Sequence, residues 1–270
     1  MIAIPHELSD YIVDFLHGDR RALMACGLTC RSWYPAARYH LYSRIYLSSP
    51  AACRILLQLL DGSPYLGQFT RYLSMSKAIR HVSGVNTEDD TDDKLSGDWS
   101  TLFTFLPNVQ QLELSFLEMN IAFHSALVSN FTRTTELTLQ YCRFPSFGDF
   151  TSVLLSFPSL RCCTLRGISW ESDQTALTSV TTERRDARIS IKGLTLGRDL
   201  DLQELIEWLL QEHICDELES VAACLAFEGD AIMLGELLRA SAPTVRHVDL
   251  DWYCKSYRGA HQPQCLSADT

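Results

Sequence analysis

No stretch of the chain approaches the roughly 18 consecutive apolar residues that a bilayer-spanning helix needs. The start lacks the pattern of a secretory leader too: no basic cluster follows Met1, and Pro5, His6 and Glu7 interrupt any apolar run. Also missing are G-x-G-x-x-G, G-x-x-x-x-G-K-[ST] and G-x-S-x-G, so no phosphate loop or nucleophile elbow is predicted. There are ten cysteines but no Cys-x-x-Cys; Cys26 and Cys30 lie four apart and Cys162 and Cys163 are adjacent. Structural zinc needs paired ligands at tight spacing, so neither a metal site nor a cofactor is expected. Such cysteines suit buried apolar positions in a reducing cytoplasm or nucleus, which is the expected location.

Eight histidines are scattered, and only His213-x-Cys215 places one beside another ligand type. Cys162-Cys163 falls in a strand pattern, where one thiol turns inward and the other outward. No basic partner is evident to activate the outer one. No catalytic residue is assigned, and an enzyme is not expected.

A net charge of −10 argues against a nucleic-acid surface, since phosphate binding needs clustered Lys and Arg. Much of the acid is concentrated between residues 86 and 98, where Glu88, Asp89, Asp90, Asp92, Asp93 and Asp98 face Lys94 alone. That block is predicted to be a solvated loop.

Apolar residues make up 46% of the 270, ample for a core, and they follow two different periodicities. The first occupies residues 1–47. Pro5 suits the first turn of a helix, where its missing N–H is not needed. Leu8, Ile12, Phe15 and Leu16 then fall at i, i+4, i+7 and i+8, one apolar stripe. Gly18 and Asp19 punctuate a turn, and a second run passes through Leu23, Met24, Cys26 and Leu28. Ser32 is positioned to cap a third segment, with Pro35 in its first turn and Ala37 and Leu41 facing inward. Three short helices of this size bury too little surface to stand alone, so a neighbour or a partner is expected to complete them.

The series Ile4-Pro5-x-Glu7-Leu8, Ile12-x-x-Phe15-Leu16, Leu23 and Leu28-x-Cys30-Arg31-x-Trp33 resembles an F-box. The family's opening Leu-Pro stands here as Ile4-Pro5, and its late Leu-Trp as Leu41-Tyr42. Gly27 sits inside the second helix. The resemblance covers about residues 4–47 and implies a three-helix module that binds the Skp adaptor of cullin-RING ubiquitin ligases. It would place Ile4, Pro5, Glu7, Leu8, Ile12, Phe15, Leu16, Leu23, Leu28, Cys30 and Trp33 at the adaptor contact. Pro5, Ile12 and Leu16 are the candidate anchors.

The second periodicity fills residues 48–270. Leu106-Pro107-x-Val109-x-x-Leu112-x-Leu114 recurs as Phe157-Pro158-x-Leu160-x-x-Cys163-x-Leu165 and as Ala242-Pro243-x-Val245-x-x-Val248-x-Leu250. Further strand-like dyads stand at Leu73/Met75, Leu137/Leu139 and Leu194/Leu196, with a weaker one in 218–224. Most intervals run about 25 to 31 residues, with helical patterns between; the exception contains the acidic block. Strand plus helix at this period is the signature of a leucine-rich-repeat solenoid, and Leu137-x-Leu139-x-x-Cys142 resembles that family's strand and its Asn-or-Cys position. The competing architecture is a compact domain of alternating strands and helices.

The predicted fold class is therefore α/β: a three-helix F-box, then an irregular leucine-rich-repeat solenoid with parallel strands and helices. Alternate strand residues would project from one face. Glu113, Ser115, Thr138, Gln140, Thr164, Arg166, Asp249 and Asp251 are the candidate substrate-binding residues, polar and of mixed charge. No helical pattern follows the last dyad. Trp252 and Tyr253 as a cap, or a truncated chain, both fit. The function expected is a substrate-recognition subunit whose partners are a Skp-type adaptor, a cullin through it, and a protein substrate. The alternative is a leucine-rich interaction scaffold with the helices as a mere cap.

Overall fold

A computed structural model describes residues 6–77, 96–171 and 189–252. Three helices open it, α1 (His6–Phe15), α2 (Arg20–Thr29) and α3 (Tyr34–Ser43). Asp19 caps α2 by accepting the N–H groups of Arg21 and Ala22 at 2.9 and 3.0 Å. The cap of α3 differs from the expectation: it is Trp33, without a side-chain bond, while the Ser32 hydroxyl pairs with the Cys30 thiol at 3.0 Å. Val13, Leu23, Cys26 and Ala37 form a small core of their own, flanked by Leu16, Trp33, Ala36 and Leu41.

The strands that follow are β1 (Arg44–Leu47), β2 (Tyr72–Ser76), β3 (Gln111–Ser115), β4 (Glu136–Gln140), β5 (Arg143–Phe144), β6 (Cys162–Arg166), β7 (Ser169–Trp170), β8 (Gly193–Leu196), β9 (Ser220–Leu225) and β10 (His247–Trp252). Between them run α4 (Pro50–Gly62), a 3-10 turn at Pro64–Phe69, α5 (Ser96–Thr104), α6 (Ile121–Asn130), α7 (Phe147–Leu155), α8 (Leu202–Gln211) and α9 (Glu228–Ala240). Eight strands make one sheet in the order β1-β2-β3-β4-β6-β8-β9-β10, every pair parallel. Each strand thus pairs with the next principal strand of the chain, and a helical segment returns the chain between most of them. β5 and β7 form a separate parallel pair.

The register explains the dyads. Leu73, Leu112, Leu137, Cys163, Leu194 and Val221 are successive partners across the sheet, and so are Met75, Leu114, Leu139, Leu165, Leu196 and Ala223. All are buried, forming two apolar rows under the helices. Two copies of the proline template, at Leu106–Leu114 and Phe157–Leu165, bury every apolar position. The third does not. β10 continues both rows with Val248 and Leu250, but all six of its residues are exposed, because no helix among the described residues covers it.

Two backbone devices hold the strands in step. At their N-terminal margin the carbonyls of Arg71, Gln110, Thr135, Arg161, Lys192 and Glu219 each accept N–H bonds of 2.7–3.1 Å from the two residues entering the next strand. At the other margin Phe116, Tyr141 and Gly167 adopt left-handed φ of 57°, 52° and 59°. For the aromatic residues this conformation costs on the order of 1–3 kcal/mol. Their N–H groups meet the Gln140, Arg166 and Arg198 carbonyls at 2.7–2.8 Å, and the Phe116 and Tyr141 rings stack at 4.9 Å. The Tyr141 ring lies where a Cβ on residue 167 would stand, so glycine is required there twice over.

Several features lie outside the sequence expectation. β1 falls within the segment assigned to the helical module, so residues 44–47 serve as the first strand of the sheet. α5 begins at Ser96 and takes up the end of the predicted acidic loop; residues 86–95 lie outside the described residues. The buried Cys142 thiol donates to the Leu114 carbonyl at 3.4 Å, tying the segment after β4 to β3.

Candidate protein-docking surfaces

Two surfaces remain uncovered. On the helical module, Val13, Leu23, Cys26 and Ala37 consume the inward positions, and much of the remaining apolar surface faces out. Ile12 is 42% exposed, Phe15 69% and Leu28 89%; Leu8, Tyr11, Met24 and Tyr34 are also exposed. Tyr11 and Phe15 meet edge to face at 4.8 Å, which rigidifies the tip of α1. His40 on α3 reaches Asp14 on α1 at 2.7 Å and holds the first helix against the third. A module this small that leaves so many large apolar side chains in water has the composition of an interface centre.

The predicted adaptor residues divide accordingly. Leu8, Ile12, Phe15, Leu28 and Cys30 are exposed. Leu23, at 1% exposure, lies inside the core, and Leu16 and Trp33 pack against it, so these three shape the face from behind. Leu16 is half-buried against this core, while its neighbour Phe15 is exposed. Ile4 and Pro5 lie outside the described residues, as does the side chain of Glu7. Cys30 titrates below an ordinary thiol, because the Ser32 hydroxyl and the Trp33 backbone stabilise its thiolate.

The module is fastened to the rest of the chain through α3. Arg38 lies over the Tyr65 ring at 5.1 Å, Tyr39 meets Phe69 at 6.0 Å, and Thr70 donates to the Tyr42 carbonyl at 3.1 Å. None of these contacts uses Ile12, Phe15 or Leu28, so the apolar face is not sealed beneath the sheet.

The second surface is the strand face opposite the helices. Glu113, Thr138, Thr164, Thr195, Ala222 and Asp249 are successive partners along it, and Ser115, Gln140 and Arg166 form a row beside them. Arg166, Asp249 and Asp251 are exposed, and Glu113, Thr138, Gln140 and Thr164 half-buried. Ser115 is a correction: it is buried, and it accepts the Lys77 N–H through its backbone carbonyl instead of offering a side chain. Between β6 and β10 the row is built of small residues, and Gly193, Thr195, Ser220 and Ala222 leave a shallow hollow of about 230 Å³ with His247 and Asp249 at its rim.

Sequence reasoning missed the most aromatic part of this face. Arg44 lies over the Tyr72 ring at 4.6 Å, Tyr46 meets Tyr72 at 5.3 Å, and the Tyr72 hydroxyl donates to Glu113. Partial burial and the adjacent Glu113 carboxylate push the Tyr72 phenol up to about 12. Tyr and Arg are the residue types that carry binding energy in protein interfaces, and here they cluster at the β1 edge of the open face. The alternation Arg44-Ile45-Tyr46-Leu47 was the available signal.

His213 is exposed beside Asp216 at 3.4 Å, whereas Cys215 is buried and its thiol pushed up to about 12 by desolvation, so the two do not share a cleft. Cys163 points into the core and is raised by burial; Cys162 projects outward, and its thiol too is raised, by partial burial and Glu136. Among the described residues no group of His, Cys, Asp or Glu is placed to hold a metal ion, and the described cysteines are free thiols.

Residues 1–48 match the family model described as F-box-like. The three helices with their uncovered apolar face are therefore an F-box-like domain, which supports an F-box protein and a general role in Skp-dependent ubiquitin-ligase recognition. F-box domains bind Skp-type adaptors, which gives the general kind of partner. No curated protein matches the chain.

Proposed function

We propose that the chain is the substrate-recognition subunit of a Skp–cullin–F-box ubiquitin ligase. The F-box-like helices dock on the adaptor, and through it a cullin, while the strand face holds a protein substrate. The observation that carries this reading is the exposure of Ile12, Phe15 and Leu28 on a domain matched as F-box-like. The sheet is read as an irregular leucine-rich-repeat solenoid. Eight parallel strands in chain order, two apolar rows in register and the Cys142 thiol bonded to the previous coil support that reading.

In this scheme the chain performs no chemistry. It raises the effective concentration of a substrate lysine near the activated ubiquitin carrier by holding the two at fixed separation. The α3 contacts with Tyr65 and Phe69 are what would make the separation fixed. The cytoplasm or nucleus, where cullin ligases operate, is the proposed location.

The test is co-purification from cells of tagged chain with endogenous adaptor and cullin, with and without Ile12→Asp combined with Phe15→Asp. Recovery of both partners by the wild type and loss of both by the variant supports the proposal. If the wild type recovers neither, the helices are a cap on an interaction scaffold.

A further inference from the structure

Although the whole chain carries a charge of −10, one depression is lined by cations. It opens at the N-terminal margin of β4, β6 and β8, has a volume of about 530 Å³, and presents Arg133, Arg161 and Lys192 against the single carboxylate of Glu217. The backbone ladder places these cations side by side. The Arg161 N–H meets the Thr135 carbonyl, and the Lys192 N–H meets that of Arg161, so the three come from adjacent strand entries about 4.8 Å apart. The Arg133 guanidinium is oriented by the Asn108 side-chain oxygen at 2.7 Å, and Lys192 is paired with Glu219 at 2.8 Å. Arg161 and Arg133 have no carboxylate partner among the described residues. Ser190 lines the depression, and its hydroxyl is buried without a hydrogen-bond partner among the described residues. A buried hydroxyl without a partner is destabilising, and a ligand oxygen accepting from it would relieve that.

We infer that this groove binds an acidic, extended segment of a protein partner, its carboxylates held by Arg133 and Arg161 and an oxygen accepting from Ser190. Charges more than about 8 Å away are largely screened at physiological salt, so the local cations set the sign of the field in the groove despite the net charge. Guanidinium groups take carboxylates in paired parallel hydrogen bonds, a geometry that two arginines preceding neighbouring strands, neither in an ion pair among the described residues, can repeat along an extended chain. A long polyanion such as nucleic acid is disfavoured by the net charge of −10 on the whole chain. The site lies at the strand margin, apart from the strand face and the helical module, and does not depend on adaptor binding.

The experiment is fluorescence anisotropy on the full chain with a labelled peptide of alternating Glu and Gly, its Gln counterpart, and a labelled single-stranded oligonucleotide. The Glu peptide is expected to bind, the Gln peptide to bind at least about tenfold more weakly, and affinity to fall as salt rises from about 0.05 to about 0.5 M. Arg133→Glu with Arg161→Glu should weaken the Glu peptide by about tenfold or more at unchanged melting temperature, and Arg161→Gln by less. Equal binding of the Glu and Gln peptides, an unchanged affinity in the double variant, or tighter binding of the oligonucleotide each overturns the inference.

Discussion

The helical module and the sheet solve the same problem in opposite ways. Each is built from short elements that cannot bury their apolar sides alone. In the sheet the helices cover one side of most strands, so Leu112, Leu137, Cys163 and Leu194 are buried and the opposite strand face is left largely polar. The module buries only Val13, Leu23, Cys26 and Ala37 and leaves Ile12, Phe15 and Leu28 in water. The same residue types are thus buried in one region and exposed in the other, where the proposed docking would use them. β10 marks the boundary of the rule within the sheet, because its row is in register yet uncovered.

The largest expected contrast comes from truncating one leucine in each region. Leu139→Ala removes a fully buried side chain from the middle of a row and should cost about 2–5 kcal/mol, read as a fall in denaturant midpoint. Leu28→Ala should shift stability by no more than about 0.5 kcal/mol while weakening adaptor binding. A Leu28→Ala loss comparable to that of Leu139→Ala would erase the distinction between core and reserved surface.

Alkali should separate the regions next. The Tyr72 phenol and the Cys215 thiol are pushed up to about 12 and the Cys142 thiol to about 11, all above their ordinary values of 10.0 and 9.0. A folded-state value above the unfolded one means that stability is intact below the unfolded value and is lost as pH climbs toward the folded one. The sheet should therefore weaken progressively between about pH 9 and 12, followed by circular dichroism melts. In the module Cys30 is shifted the other way, so its titration does not contribute to that loss.

Two smaller effects probe the module by itself. Asp19→Ala removes the cap of α2 and should cost about 1 kcal/mol. Gly27→Ala should do the reverse and stabilise α2 by up to about 1 kcal/mol. A Cβ there meets Ala37 at 3.7 Å and the Tyr34 ring at 3.9 Å, ordinary contact distances. Hydrogen exchange of the α2 amides reads both.

What was legible in the sequence follows from which signals are periodic. Strand dyads survive substitution because a period of two fixes which side is buried, so Leu73, Leu137 and Leu194 could be placed without knowing their partners. β1 was hidden because its four residues adjoin a helical motif that accounts for everything up to residue 47. α5 was hidden because acidic residues run up to its first turn. On the strand face, polar residues carry no record of which neighbour they meet: Glu113 could be placed there, but its bond to Tyr72 could not. In the module the apolar stripe was visible, yet its division was not. Val13 and Ile12 are adjacent and equally apolar, and only the packing of α2 and α3 decides that Val13 is the one inside.

The most direct measurement is calorimetric titration of the purified full chain with a purified Skp adaptor, for the wild type and for Ile12→Asp combined with Leu28→Asp. If the exposed side chains of α1 and α2 are a docking face, the wild type binds, and the variant loses binding by about a hundredfold or more while melting at the wild-type temperature. Wild-type affinity in the variant, or a variant that unfolds, would contradict that claim.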